Sequence, residues 1–178
     1  TGLDTGDMTS KIVVPIAKDE TGGTLFDKLA EAGAKLLVET LPHIFYGTAV
    51  YEKQPEESPT PYAGMITKQM GLINFGKSAE ELERLVRGLN PWPSAFTSGM
   101  ENLKVWESFV VKSEEAGAEK SEPGTVVKTD KKGIYVACGE DVLVLSQVQL
   151  EGKKRMDADA FLRGCHIETG SRFTDKKE

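Results

Sequence analysis

Asp4 stands in Leu3-Asp4-Thr5-Gly6, where the residues by themselves spell a turn whose carboxylate bonds its own backbone. Toward the other end, Lys153, Lys154 and Arg155 are consecutive cations. Such a run neutralises nucleic-acid phosphates, or simply solvates a turn after a strand. Arg84 and Arg87 share a segment with Glu80, Glu81 and Glu83, so they either reach RNA or pair with those carboxylates along one helix. Trp92, Phe96 and Trp106 offer flat faces on which bases stack, and equally the bulk of a packed hinge between helix and sheet. Cys138 and Cys165 are isolated, and the chain has 2 histidines and no C-x-x-C, so no clustered zinc ligands are spelled out. Cys165 and His166 are neighbours, but neighbours in extended chain point to opposite faces. The expectation is a reduced, cytosolic protein without a structural metal.

Charge limits the partners. With 22 Lys and Arg against 28 Asp and Glu, the net charge of -6 argues against a protein that coats nucleic acid indiscriminately. The imbalance sits mainly in residues 1–75, with 6 basic against 10 acidic residues, whereas residues 76–178 hold 16 against 18 and the basic run. The longest apolar run, Ile12 to Ala17, contains a proline and is far short of the roughly 18 residues that span a bilayer. The opening TGLDTGDM lacks the basic start and apolar stretch of a secretory signal and reads as internal to a longer protein.

These residues need elements to hold them. Lys11 to Ile16 is short and β-branched, predicting a buried strand. Thr24 with Asp27 reads as a capping box that opens a helix with Leu25, Leu29, Ala32, Leu36 and Leu37 on one face, ending or kinking near Leu41 because Pro42 follows. From Gly47 to about Gly71 no period is sustained, and Pro55, Pro59, Pro61 and Gly64 mark an extended linker. Ser78 with Glu81 opens a second helix, with a stripe of Leu82, Leu85, Val86 and Leu89, which stops in Asn90-Pro91-Trp92-Pro93. Beyond it, strands are predicted at Leu103 to Lys112, Thr125 to Lys128, Gly133 to Cys138 and Val142 to Leu150, separated by turn signals, and then a short helix over Met156 to Arg163. Closely spaced strands of this kind suggest a small antiparallel barrel. The polar end, Ser171 to Glu178, is expected to fray.

Seven segments in order resemble the methionyl-tRNA formyltransferase family, seen from part-way through the catalytic domain to the C-terminus. They are GLDTGDM, GGTLFDKLAEAGAKLL, TPYAGMI, LVRGLNPWPSAFT, LKVW, EPGTVV and QLEGKKRM. The resemblance implies an α/β remnant plus an all-β domain: the last strand and helix of a Rossmann-like formyltransferase domain (residues 1–46), an extended linker (47–72), a C-terminal OB-like antiparallel β-barrel preceded by a helix (73–170), and a tail (171–178). It implies formyl transfer from 10-formyltetrahydrofolate to the amino group of Met on initiator tRNA. Of the family's catalytic Asn, His and Asp, the LDTG match carries only the Asp, at Asp4. The other two fall upstream, in an N-terminal half of the catalytic domain that this sequence does not contain, and neither His43 nor His166 sits in the matching motif.

The implied partners are therefore initiator methionyl-tRNA and that missing half, with no membrane and no metal. The isolated chain is implied to be inactive, with no cofactor-binding residue assigned. The barrel is implied to hold tRNA, with Lys153, Lys154, Arg155, Arg84 and Arg87 as its candidate contacts. Two other readings stay open: a non-catalytic RNA-binding module, and a sister formyltransferase acting on a nucleotide amino-sugar or folate, which shares GLDTGDM but departs in the later segments. Asn74 in GLINF stands where the family usually has Asp.

Overall fold

The computed structural model describes residues 5–57, 60–98 and 103–174. Asp4 lies outside the described residues. The chain forms two compact units, Thr1–Met65 and Ile66–Glu178.

The first unit is built on α1, Gly22–Phe45. The helix starts one turn earlier than predicted: Thr21 is the N-cap, its hydroxyl accepts from the Thr24 N–H at 3.1 Å, and the Thr24 hydroxyl accepts from the Thr21 N–H at 3.0 Å. The reciprocal box thus pairs two threonines rather than Thr24 and Asp27. Nor does the helix end at Leu41. Pro42 lies inside it, and the Tyr46 N–H donates to the Pro42 carbonyl at 2.9 Å. A proline this near the C-terminus forfeits one backbone bond, to Val38, and the last turn survives that loss.

The predicted strand at Lys11 to Ile16 does not form; residues 10–17 are extended without a ladder partner among the described residues. β-branched residues favour a strand only where a neighbouring strand accepts their hydrogen bonds. The segment instead follows α1 in the opposite direction. Ser10 and Thr40 hydroxyls meet at 2.6 Å, and Lys28 Nζ donates to the Pro15 carbonyl at 3.4 Å. An antiparallel bridge joins Met8 and Glu52, reinforced by Lys11 Nζ on the Glu52 carboxylate at 2.8 Å. Val13, Phe26 and Val38 are exposed.

In the second unit, a 3-10 turn at Lys68–Gly71 leads to α2, Ala79–Gly88, whose N-cap Ser78 accepts from the Glu81 N–H at 3.3 Å as predicted. Before it, Asn74 Oδ1 accepts from the Gly76 N–H at 2.9 Å, a bond that an Asp carboxylate makes equally well. The strands are β1 (Ala95–Phe96), β2 (Leu103–Val111), β3 (Val126–Asp130), β4 (Gly133–Ala137), β5 (Val142–Leu150) and β6 (Met156–Asp157). One-turn helix α3 (Ser113–Ala116) and α4 (Ala158–Gly164) complete the set, and sequence periodicity missed β1 and α3 because each is too short to show a period.

The sheet is antiparallel in the order β1-β2-β5-β4-β3, with β6 on β5. Its two edges are joined through the C-terminal segment: Thr125 bridges Arg172 and Ser98 bridges Thr174. The tail therefore does not fray up to residue 174. The Phe173 N–H donates to the Gly124 carbonyl at 2.9 Å and the Thr174 N–H to the Ser98 carbonyl at 2.8 Å. Leu82 and Val86 of α2 pack with Val105, Ile134, Val136, Leu143, Leu145, Val148 and Phe173 in one core. The amphipathic stripe of α2 is thus covered by the sheet's inner face.

Candidate nucleic-acid interface

Trp106 organises the basic part of the second unit. On β2 the pairing slips between Val105 and Glu107, so that Trp106 is the extra residue of a bulge against β5. Its carbonyl, left out of the ladder, accepts from Asn90 Nδ2 at 3.1 Å, which ties the loop after α2 to the sheet. Its indole N–H donates to Gln149 Oε1 at 2.9 Å, and Gln149 Nε2 donates to the Lys153 carbonyl at 2.8 Å. The ring is half-buried and carries Arg155 over it.

The turn that holds the cations closes with the Lys153 N–H donating to the Leu150 carbonyl at 3.0 Å. Gly152 adopts φ +73°, the left-handed conformation that this position of the turn requires. Lys153 and Lys154 point to solvent and make no ion pair among the described residues. Arg155 differs. Its guanidinium lies over the Trp106 ring, 4.9 Å from the centroid; one Nη donates to Glu107 at 2.8 Å, and Nε donates to Gln147 Oε1.

The α2 arginines are paired along their helix. Arg84 lies 3.6 Å from Glu80, and Arg87 Nε bonds Glu83 at 2.5 Å, each at i,i+4 spacing. Arg87 precedes Asn90 by three residues, so the Asn90–Trp106 bond links its end of α2 to the basic turn. Arg84 instead faces a groove with Met70, Leu72 and Lys77. The predicted cations thus fall in two places: Lys153, Lys154 and Arg155 lie on one turn, from which Arg155 reaches Trp106, and Arg84 faces the groove beside α2.

Trp92 corrects an expectation. It is 59% exposed rather than packed as a hinge, because the loop from Asn90 to Pro93 is anchored through Asn90 and leaves the indole outside. Phe96 is half-buried, and its carbonyl accepts from the Ile73 N–H at 2.9 Å. Three contributing residues escaped sequence reasoning: Glu107, Gln147 and Gln149. A signal existed in Gln147 and Gln149, two amides at period-two spacing in the largely apolar VLVLSQVQL. Away from the site, burial pushes the Cys138 thiol up to about 12, which keeps it un-ionised and chemically inert. Among the described residues no three His, Cys, Asp or Glu side chains are grouped as metal ligands, and no helix is long and apolar enough to cross a membrane.

Residues 65–166 match the family model for the formyl transferase C-terminal domain. The chain is 51% identical over 174 residues to the methionyl-tRNA formyltransferase of Agathobacter rectalis, covering 97% of this chain and 54% of that protein. It is 47% identical to the methionyl-tRNA formyltransferase of Bacillus subtilis, over 94% of this chain and 52% of that protein. Among solved structures it resembles the N-formyltransferase from Helicobacter canadensis in complex with folinic acid and dTDP-3-aminofucose, at TM-score 0.60 and 17% identity, covering 83% of this chain and 52% of that one. That likeness is one of fold, a mixed α/β arrangement with an antiparallel sheet. The chain spans about half the length of the curated relatives it matches. With the ordered motifs, the family match and these identities converging, the chain belongs to the formyltransferase family and includes its C-terminal domain.

Proposed function

We propose that this chain is part of a methionyl-tRNA formyltransferase, which moves a formyl group from 10-formyltetrahydrofolate to the amino nitrogen of Met on initiator tRNA in the cytoplasm at translation initiation. The observation that carries this reading is 51% identity along 97% of the chain to a relative of that name. Within it, residues 1–46 are the end of a Rossmann-like catalytic domain, 47–72 a linker, 73–170 an OB-like barrel and 171–178 a tail, and the barrel reading is supported by the bridges that join the sheet's edges through Arg172 and Thr174.

Asp4 is the family's catalytic carboxylate in this reading. Formyl transfer passes through a tetrahedral intermediate: the amine nitrogen bonds the formyl carbon and gives up a proton to a general base, and as the carbon–nitrogen bond to folate breaks the leaving folate nitrogen takes up a proton. A carboxylate orients and charge-stabilises a histidine base but supplies no oxyanion donor. Residues 1–178 by themselves are therefore inactive, and their contribution is Asp4 together with a tRNA-holding surface at Lys153, Lys154 and Arg155. Arg84 and Arg87, each held by a glutamate, contribute less.

Titration of initiator tRNA onto the chain across a salt series tests this. The expected result is salt-sensitive binding with no formylation; absence of binding at low salt removes the tRNA-holding role, and formylation by the chain alone refutes the requirement for an upstream Asn and His. A second reading, a nucleotide amino-sugar as formyl acceptor, draws on the fold shared with the Helicobacter canadensis enzyme at 17% identity. Formylation of a dTDP-amino-sugar, and not of Met-tRNA, by the full-length parent would establish it.

A further inference from the structure

We propose that Arg155 is a pre-oriented phosphate fork whose place for the anion is held by Glu107 when RNA is absent, so that the protein carries an internal competitor for its own ligand. The inference rests on the tRNA-holding reading of the basic turn and goes beyond it by naming which cation is held in reserve and by what.

The bulge is the physical basis. Trp106 and Glu107 are consecutive, and on a regular strand consecutive side chains point to opposite faces. Here both contact Arg155, Trp106 through its ring at 4.9 Å and Glu107 through its carboxylate at 2.8 Å, because the register slips on either side of Glu107. Three groups thus fix the guanidinium. The indole face backs it, Gln147 takes Nε, and Gln147 is itself held by donating to Asp157 Oδ1 at 3.1 Å. Glu107 takes the remaining edge.

The three contacts are not equally durable. The Trp106 ring and the Gln147 amide oxygen that accepts from Nε are uncharged partners, and both contacts survive when an anion approaches. The Arg155–Glu107 pair is exposed, at 40% and 56% of the two side chains, and pairs of that kind contribute little and are screened by salt. Glu107 accepts from one Nη only, whereas the two non-bridging oxygens of an RNA phosphate can engage a guanidinium edge bidentately, so a phosphate displaces the carboxylate while the contacts to Trp106 and Gln147 stay. Lys153 and Lys154, which make no ion pair among the described residues, bring that phosphate near from the adjoining turn.

The test is a double-mutant cycle in the full chain, read by initiator-tRNA affinity across salt. Glu107→Gln is expected to tighten binding at least threefold at low salt and to steepen the log–log salt slope by about 0.7 to 0.9, the value of one more phosphate contact. Arg155→Ala is expected to abolish that gain. A gain that persists in Arg155→Ala shows Glu107 to be only a general repulsive charge and overturns the proposal, as does wild-type binding that Glu107→Gln leaves unchanged. If neither wild type nor Glu107→Gln binds, the tRNA-holding reading falls and this one with it; binding by Glu107→Gln alone, lost with Arg155→Ala, supports the latch in its strongest form. Both positions are exposed on the sheet surface, and matching circular dichroism across the four proteins verifies that folding is not what changes.

Discussion

Phe173 lays its ring against that of Phe75, with centroids 5.9 Å apart and planes inclined by 23°, so that a residue five from the chain end is stacked on one just before α2. Phe173 is 3% exposed, and the backbone on either side of it pairs with Gly124 and Ser98. The C-terminal segment is therefore a structural stave that joins the sheet edges, not an appendage.

Phe173→Ala removes a large buried side chain and the stack together. Losses of this type cost about 3 to 5 kcal/mol, so urea unfolding of the variant should show a midpoint far below that of the parent. A midpoint within error of the parent would mean that residues 171–174 do not contribute to closure in solution.

Gly124→Ala strikes the same closure from the other side. Gly124 holds φ +89°, and a Cβ there would lie 2.5 Å from the Phe173 carbonyl oxygen, a backbone atom that has no room to yield. Strain of about 1 to 3 kcal/mol is expected, read as a lowered unfolding midpoint with faster hydrogen exchange at the Phe173 and Thr174 amides.

Glu20 gives the first unit an acid sensitivity. Its hydrogen bond to Lys28, then that to the Thr24 hydroxyl at 2.6 Å, draw its pKa from 4.5 down to about 2. Because the folded pKa is depressed, the stabilisation is complete above the unfolded value and is lost as pH falls from about 4.5 to 2. The helical circular dichroism of α1 should decline through that window, and Glu20→Gln should remove Glu20's share of the dependence while lowering stability at neutral pH.

Lys153→Ala and Lys154→Ala should each weaken tRNA binding and reduce the salt slope by about 0.7 to 0.9. Arg84→Ala should leave both nearly unchanged, because its charge is already offset by Glu80 and it sits apart from the Trp106 cluster. An Arg84 effect as large as that of Lys153 would relocate the interface to the face of α2.

Much of the second unit was legible in the residues alone. Ser78 and Glu81 spelled the start of α2, and alternation in Leu103 to Val111 and the apolar run from Val142 spelled β2 and β5, because capping and side-chain period are local properties. The start of α1 and the short β1 and α3 were misread locally, whereas three other misreadings depended on partners distant in sequence. Lys11 to Ile16 has strand composition but no ladder to join among the described residues, Trp92 is of a type common in cores but sits outside, and Phe173 has polar neighbours yet closes the sheet.

For the site, the sequence by itself determined which residues carry charge and which offer π faces, and its ordered motifs determined the family. It could not say that Lys153, Lys154 and Arg155 are unequal. That was decided by a one-residue slip between β2 and β5, which turns Trp106 and Glu107 to the same side and sets Arg155 between them. Register is a property of two strands together, and no single stretch of sequence encodes it.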